Sequence, residues 1–156
     1  MSTYRECALE GASAVDLVVA LYDGILRFLN AAADAADRGD VSARRFAAKR
    51  ALDIIIHLQA RLRMDVGGSP AQALSEFYAS VFAQILQASQ AASRQKFLHA
   101  IECVRNVRDA WKQVATDPRC NPEALRVCAP SVERMRVAME APAQLAETPG
   151  AANWTA

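Results

Sequence analysis

The chain has 156 residues, of which 53% are hydrophobic but only 6% aromatic, and it carries a formal net charge of +1. A chain of this length buries enough surface for one core without metal or disulfide staples. Its near-neutral charge argues against general nucleic-acid binding, which depends mainly on neutralising phosphates with Lys and Arg. The apolar runs are too short for a membrane span, and the first residues lack the pattern of a secretory signal. We therefore expect one cytoplasmic domain, with no membrane insertion and no nucleic-acid partner.

The first two predicted helices are delimited by residues typical of helix ends. A hydroxyl at Ser13 and a carboxylate three residues later form a variant capping box, which predicts a first helix over about 14–38. Gly39 suits the left-handed residue that follows a helix. Asp40 suits the cap of a second helix over about 41–64.

Two more helices follow. Ser69 before Pro70 predicts a cap and a first helical residue, so the third helix covers about 70–91. Ser93 predicts the cap of a fourth helix over about 94–115. Four rods of similar length with short connections pack antiparallel. The sequence therefore predicts an all-α, up-down four-helix bundle over 14–116.

The C-terminal part differs from the bundle. Asn121 and Pro122 predict the start of an additional amphipathic helix over 122–140, kinked at Pro130. Its apolar stripe consists of Leu125, Cys128, Val132, Met135 and Met139. Residues 141–156 are rich in Ala and Pro and predict a flexible tail.

The bundle helices carry more apolar surface than a bundle interior needs. The apolar arc of the first helix spans roughly 200°, against about 100° for a helix that faces one core. The third helix is similar, and the second turns two aliphatic residues toward its basic side. Either the chain's own fifth helix or N-terminal segment covers this surplus, or a partner segment docks on it in the helix-in-groove manner. The candidate partner contacts among the surplus residues are Leu17, Phe28, Leu52, Ile56, Phe82 and Leu86.

The sequence shows no catalytic or metal-binding pattern. Neither histidine has the Glu-x-x-His spacing of a carboxylate-bridged metal bundle, and no phosphate loop or nucleophile motif is present. The four cysteines, at positions 7, 103, 120 and 128, have no Cys-x-x-Cys spacing and are expected to be reduced and buried. A basic cluster on the second helix, at positions 44, 45, 49 and 50, is interpreted as a solvated face rather than an RNA site. We expect no enzyme activity, no metal and no cofactor.

An alternative function is histidine phosphotransfer, because such signalling domains are also small helical bundles with an exposed histidine. The nearest match runs from His57 to Arg61. The family pattern is His-x-x-Lys-Gly, and this chain has Ala60 and Arg61 at the Lys and Gly positions. The match is therefore incomplete.

Several motifs resemble the flagellar secretion chaperone family FliS. The stretch Leu21-Tyr22-Asp23-Gly24 matches its LYDG signature. Supporting matches are Gly67-Gly68, the stretch from Leu74 to Tyr78, and Val107-Arg108-Asp109-Ala110-Trp111, which is similar to L-R-D-A-W. Together they cover about residues 4–115. Departures are Ser13-Ala14, where the family has Ser-Pro, Ala88-Ser89, where it often has Ala-Asn, and 117–156, which match nothing.

The resemblance implies a function for the surplus apolar surface. Members of this family bind the disordered C-terminal segment of flagellin, prevent its premature polymerisation and deliver it to the flagellar export gate. In the family an N-terminal segment with tyrosines can lie over the client groove, so the resemblance adds Tyr4 to the candidate contacts and makes residues 1–13 a candidate groove cap. We expect a monomer or weak dimer.

Overall fold

The structure is a computed structural model that describes residues 2–65 and 67–116, with side chains described from residue 14 onward. Its elements, in chain order, are the helices α1 (Ser2–Asp37), α2 (Val41–Ala60), α3 (Gly68–Gln90) and α4 (Arg94–Thr116). The predicted helix over 122–140 and the tail over 141–156 lie outside the described residues. None of the described helices is long and apolar enough to cross a membrane.

The four helices form the predicted antiparallel bundle. α1 packs against α2 and α4, and α3 packs against the same two neighbours. The connections 38–40, 61–67 and 91–93 are short, so each helix runs back along the one before it. The interior is filled by side chains from all four helices, with Tyr22, Leu29, Ile55, Ile85 and Phe97 among the most buried. The all-α bundle predicted from the sequence is confirmed.

The connection between α1 and α2 follows the predicted capping pattern. Gly39 has φ +69°, the left-handed conformation that glycine adopts without strain. Its N–H donates to the carbonyl of Ala36 at 3.2 Å, and the N–H of Asp40 donates to that of Ala35 at 2.9 Å. This pair of bonds is a Schellman motif. The Asp40 carboxylate then accepts from the N–H of Ala43 at 2.9 Å and caps α2.

The connection between α3 and α4 repeats this design with an alanine in place of glycine. Ala92 has φ +49°. Its N–H donates to the carbonyl of Ser89 at 3.3 Å, and the N–H of Ser93 donates to that of Ala88 at 3.1 Å. The Ser93 hydroxyl accepts from the N–H of Lys96 at 3.3 Å, so Ser93 caps α4 as predicted.

The predicted start of the first helix is wrong. α1 begins at Ser2 rather than near residue 14, and the capping box at Ser13 lies inside a continuous helix. The residues before it are mostly good helix formers, and a single interior glycine, Gly11, costs only about 1 kcal/mol relative to alanine. A capping pattern marks a helix start only where the preceding residues cannot extend the helix.

The ends of the second and third helices also differ from the prediction. α2 ends at Ala60, four residues early, because the chain tightens there into bonds from the N–H groups of residues 61 and 62 to carbonyls three residues back. α3 begins at Gly68, and its cap is Gly67 rather than Ser69. Pro70 is tolerated within the first turn because the amides there have no partner inside the helix.

Two ion pairs mark the register of α1 against α4. Arg94 reaches Asp34 and Arg108 reaches Asp23, each with an N–O distance of 2.8 Å. The last residue of α4 lies eight residues after Arg108. Because the two helices are antiparallel, it is level with the residue about eight positions before Asp23, at about position 15 of α1. At 1.5 Å per residue, the α1 backbone continues about 20 Å past the end of α4.

Candidate partner-binding surface

The predicted contact residues of α2 and α3 lie on one side of the bundle. The Gln59 amide donates to the Ser75 hydroxyl at 3.4 Å, which marks where α2 and α3 face each other. Leu52 lies two turns before Gln59 on α2, and Phe82 lies two turns after Ser75 on α3, so antiparallel packing places them level. Ile56 lies one turn after Leu52, and Leu86 lies one turn after Phe82. We define the α2–α3 groove by these four residues, Leu52, Ile56, Phe82 and Leu86.

The α2–α3 groove combines a supported floor with an exposed rim. Leu52 and Phe82 are partly buried and pack against the hydrophobic core. Ile56 is 55% exposed and Leu86 is 39% exposed. Scattered exposed aliphatic residues are ordinary on a protein surface, but these four lie along one boundary between two helices.

Two other predicted contacts lie on the opposite side of α2, toward α1. Phe28 lines a cleft of about 180 Å³ between the two helices. We call this the α1–α2 cleft, and its lining residues are Leu21, Phe28, Arg50, Asp53, Ile54 and His57. Leu17 is 51% exposed and lies on the same edge of α1 as Leu21 and Phe28. The predicted set is thus divided between two surfaces separated by α2.

Tyr4, the remaining predicted contact, lies within the helical backbone of α1 but outside the described side chains. At the helical rise it is about 20 Å along the axis from Leu17. In a continuous α1, the backbone of residues 2–13 does not fold back over either surface, so the role of residues 1–13 as a groove cap stays a prediction.

Gly24 of the LYDG motif allows α1 and α2 to approach closely. A Cβ atom built at Gly24 would lie 3.2 Å from Cδ1 of Ile54, which is closer than an ordinary van der Waals contact. The glycine therefore sets the inter-helix spacing at the α1–α2 cleft.

The aromatic motif residues form a buried polar cluster. The Tyr22 hydroxyl donates to the Tyr78 hydroxyl at 2.9 Å, which links α1 to α3 across the bundle. Burial is the main cause that raises the pKa of Tyr22 well above its ordinary value, and it raises the pKa of Tyr78 to about 12. The buried indole N–H of Trp111 opposes the shift at Tyr22, although it does not reach hydrogen-bond geometry.

The charged motif residues meet at the junction of α1 and α4. Arg108 binds Asp23 at 2.8 Å and its neighbour Asp109 at 2.9 Å. Asp23 and Arg108 belong to two motifs far apart in sequence, and nothing in either motif alone indicates that they pair. These charged motif residues therefore connect α1 to α4.

Sequence reasoning missed one exposed aromatic residue. Phe46 of α2 is 65% exposed, the highest value among the large apolar residues described. It projects from the side of α2 that carries Lys49 and Arg50, so the helical period assigns it to the solvated face. A phenylalanine on an otherwise charged helix face was the feature of the sequence that could have indicated this exposed residue.

The basic cluster and the cysteines are only partly as predicted. Arg44 is 7% exposed rather than solvated, and its Nε has no hydrogen-bond partner among the described residues. Cys103 is buried as a free thiol, and burial raises its pKa. The other three cysteines lie outside the described side chains.

His57 is exposed at the edge of the α1–α2 cleft. Asp53, one turn before it on α2, pairs with Lys49 at 2.9 Å. Within the described residues, no group of three or more His, Cys, Asp or Glu side chains is arranged to hold a metal ion.

Comparisons with known proteins agree with the motif resemblance. A family model described as "Flagellar protein FliS" matches residues 1–118. The chain is 32% identical over 106 residues to the flagellar secretion chaperone FliS of Vibrio cholerae serotype O1, covering 68% of this chain and 78% of that protein. It is 33% identical over 111 residues to the flagellar secretion chaperone FliS of Salmonella typhimurium, covering 70% of this chain and 82% of that protein.

Proposed function

Because the chain belongs to the FliS family of flagellar secretion chaperones, we propose that it binds the disordered C-terminal segment of flagellin in the cytoplasm. Binding keeps this segment from polymerising before export and delivers it to the flagellar export gate. The chaperone acts by non-covalent binding, without enzyme activity or a cofactor.

The α2–α3 groove is the observation that carries this proposal. An apolar strip with a supported floor and an exposed rim suits an amphipathic client helix, whose anchors recur at helical spacing. A segment that later forms coiled coils in a filament exposes such stripes and self-associates unless they are covered. The groove replaces the filament partner during storage and transport.

The shape of the surface also suits a client that folds on binding. Such a client buries a large area and spends 2–5 kcal/mol or more of the interaction energy on its own ordering. The α2–α3 groove presents four apolar side chains from two helices, whereas the cleft of about 180 Å³ is also lined by Arg50, Asp53 and His57. We therefore assign the main client contact to the α2–α3 groove, with Tyr4 and Leu17 as further contacts.

The decisive experiment is titration of a flagellin peptide into variants of the full chain. We expect a peptide from the last roughly 40 residues of the same organism's flagellin to bind, with heat measured by calorimetry. Ile56→Glu with Leu86→Glu places charges on the exposed rim, and the affinity falls by at least about tenfold because two apolar contacts are replaced by desolvated carboxylates.

A matched control uses Leu98, which is 42% exposed on α4, outside the groove. Leu98→Glu adds one carboxylate, half the added charge of the groove variant, at an exposed aliphatic position and leaves binding unchanged. Helical circular dichroism of all variants confirms that they fold. Equal binding by the groove variant and the control would refute the assignment of the groove, and absence of heat with the unmodified chain would refute the proposed function.

A further inference from the structure

A second surface lies on the outer side of the α1–α2 cleft. We define the basic aromatic face by four residues, Arg27, Phe28, Phe46 and Arg50. The guanidinium carbons of Arg27 and Arg50 lie 5.1 and 5.6 Å from the centroid of the Phe28 ring, within the range of cation–π contacts. Phe46 is one turn from Arg50 on α2. The proposed flagellin site accounts for neither the paired arginines nor Phe46.

Arg27 and Arg50 differ from Arg63, Arg94 and Arg108, each of which has an acidic partner among the described side chains. Arg94 and Arg108 pair with aspartates of α1. Across the side chains described from 14 to 65 and from 67 to 116, no salt bridge involves Arg27 or Arg50, and the nearby Asp53 is engaged by Lys49. Arg27 and Arg50 bring two positive charges to one ring, in a chain whose net charge is only +1.

The spacing of the two guanidinium groups allows two carboxylates of one helix to reach them. Because both guanidinium carbons lie close to the same ring, they are at most about 11 Å apart. Acidic side chains one turn apart on a helix have Cβ atoms about 5–6 Å apart and can reach both cations. The ring holds the arginines in place, which reduces the entropy lost on binding.

We propose that the basic aromatic face docks an acidic amphipathic segment of a second protein, separate from the flagellin client. Carboxylates of the partner bind Arg27 and Arg50, and its apolar side chains contact Phe28 and Phe46. An acidic protein segment fits better than a nucleic acid, because a chain with a net charge of only +1 provides no extended positive surface for a phosphate backbone.

The test uses a synthetic amphipathic peptide of about 18 residues, with Leu at helical spacing and Glu at the flanking positions. A twin peptide carries Lys in place of Glu. Binding of the labelled peptides to the full chain is followed by fluorescence anisotropy. We expect the Glu peptide to bind and to weaken as salt is raised, while the Lys peptide does not bind.

Variants then locate the site. Arg27→Glu with Arg50→Glu lowers the affinity for the Glu peptide by at least about tenfold. The variant loses two charge-assisted hydrogen bonds, and its two new carboxylates repel those of the peptide. Phe46→Ser lowers it several-fold. The matched controls are Arg105→Glu with Lys112→Glu, two exposed positions of α4, and Leu98→Ser, and both leave the affinity unchanged.

Three results would overturn the proposal. The first is equal binding of the Glu peptide by the Arg27/Arg50 variant, and the second is equal binding of the Lys peptide or a single-stranded oligonucleotide by the unmodified chain. The third is loss of flagellin-peptide binding in a folded Arg27/Arg50 variant, which would assign the face to the client. Retained flagellin binding with lost Glu-peptide binding supports two separate sites.

Discussion

Individual motif residues stabilise the bundle. Tyr22, Tyr78 and Trp111 come from three motifs and three helices, and all are buried together. Asp23 and Arg108 form an ion pair beside them. Recognition of these motifs therefore identifies the family, whereas the residues of the proposed α2–α3 groove lie outside them.

The tyrosine pair predicts a loss of stability at high pH. Burial raises the pKa of Tyr22, and it raises the pKa of Tyr78 to about 12, above the ordinary value of 10.0. The unfolded chain therefore releases these protons at a lower pH than the folded chain. Their contribution to stability is complete below pH 10 and is lost as the pH rises through 12. The free energy of unfolding, measured with urea, should fall steeply over this interval.

The double variant Tyr22→Phe with Tyr78→Phe isolates this effect. It has neither buried hydroxyl, so its free energy of unfolding should depend less on pH over the same interval. Either single variant leaves one buried hydroxyl without its partner and should cost about 1–3 kcal/mol at neutral pH, more than half the cost of the double variant. Identical pH dependence of the double variant and the unmodified chain would contradict the role given to these hydroxyls.

At the scale of elements, the two three-residue connections differ in one informative position. Both end a helix with a Schellman motif, but the left-handed residue is Gly39 in one and Ala92 in the other. A left-handed alanine costs roughly 1–2 kcal/mol, whereas glycine adopts this conformation without strain. Ala92→Gly should therefore raise the free energy of unfolding by about 1 kcal/mol, and Gly39→Ala should lower it by a similar amount, as measured by urea unfolding.

The two substitutions control for each other. Glycine is more flexible than alanine in the unfolded chain at both sites, so this effect has the same size and opposite sign in the two variants. Ala83→Gly, on the exposed side of α3, supplies the opposite control, since glycine inside a helix should destabilise by about 1 kcal/mol. Destabilisation by Ala92→Gly would show that the connection gains nothing from glycine.

The connections also show what the sequence can predict about the elements. Asp40 and Ser93 were identified as caps because a short polar side chain there satisfies free amides. Ser13 has the same local pattern, but the helical residues before it extend α1 to Ser2. Pairings across the bundle, such as Asp23 with Arg108, depend on helix register, which no local pattern encodes. The division of the predicted contacts between two sides of α2 was missed for the same reason.

At the scale of the whole molecule, α1 is longer than the other helices. Its 36 residues correspond to about 54 Å, while α4 has 23 residues and about 35 Å. Residues 1–13 can cover a groove only if α1 breaks. The sequence contains a second helix start for that case, because Gly11 weakens the continuous helix and Ser13 can cap a shorter one.

This second start makes a prediction about client binding. Ala14→Pro places proline directly after Ser13, where it suits the first residue of a helix but clashes with the carbonyl of Glu10 in the continuous form. Gly11→Ala strengthens the continuous form. If residues 1–13 compete with the client, Ala14→Pro should weaken binding of the flagellin peptide several-fold and Gly11→Ala should strengthen it, as measured by calorimetry.

Hydrogen exchange of the backbone amides of residues 3–12 provides an independent check. Protection of these amides should fall in the Ala14→Pro variant and rise in the Gly11→Ala variant, while Ala14→Ser, the control at the same position, should behave like the unmodified chain. Because the two variants shift one equilibrium in opposite directions, a general loss of stability cannot produce the expected pair of results. Opposite changes in protection with no change in affinity would show that the N-terminal part of α1 breaks without covering the groove.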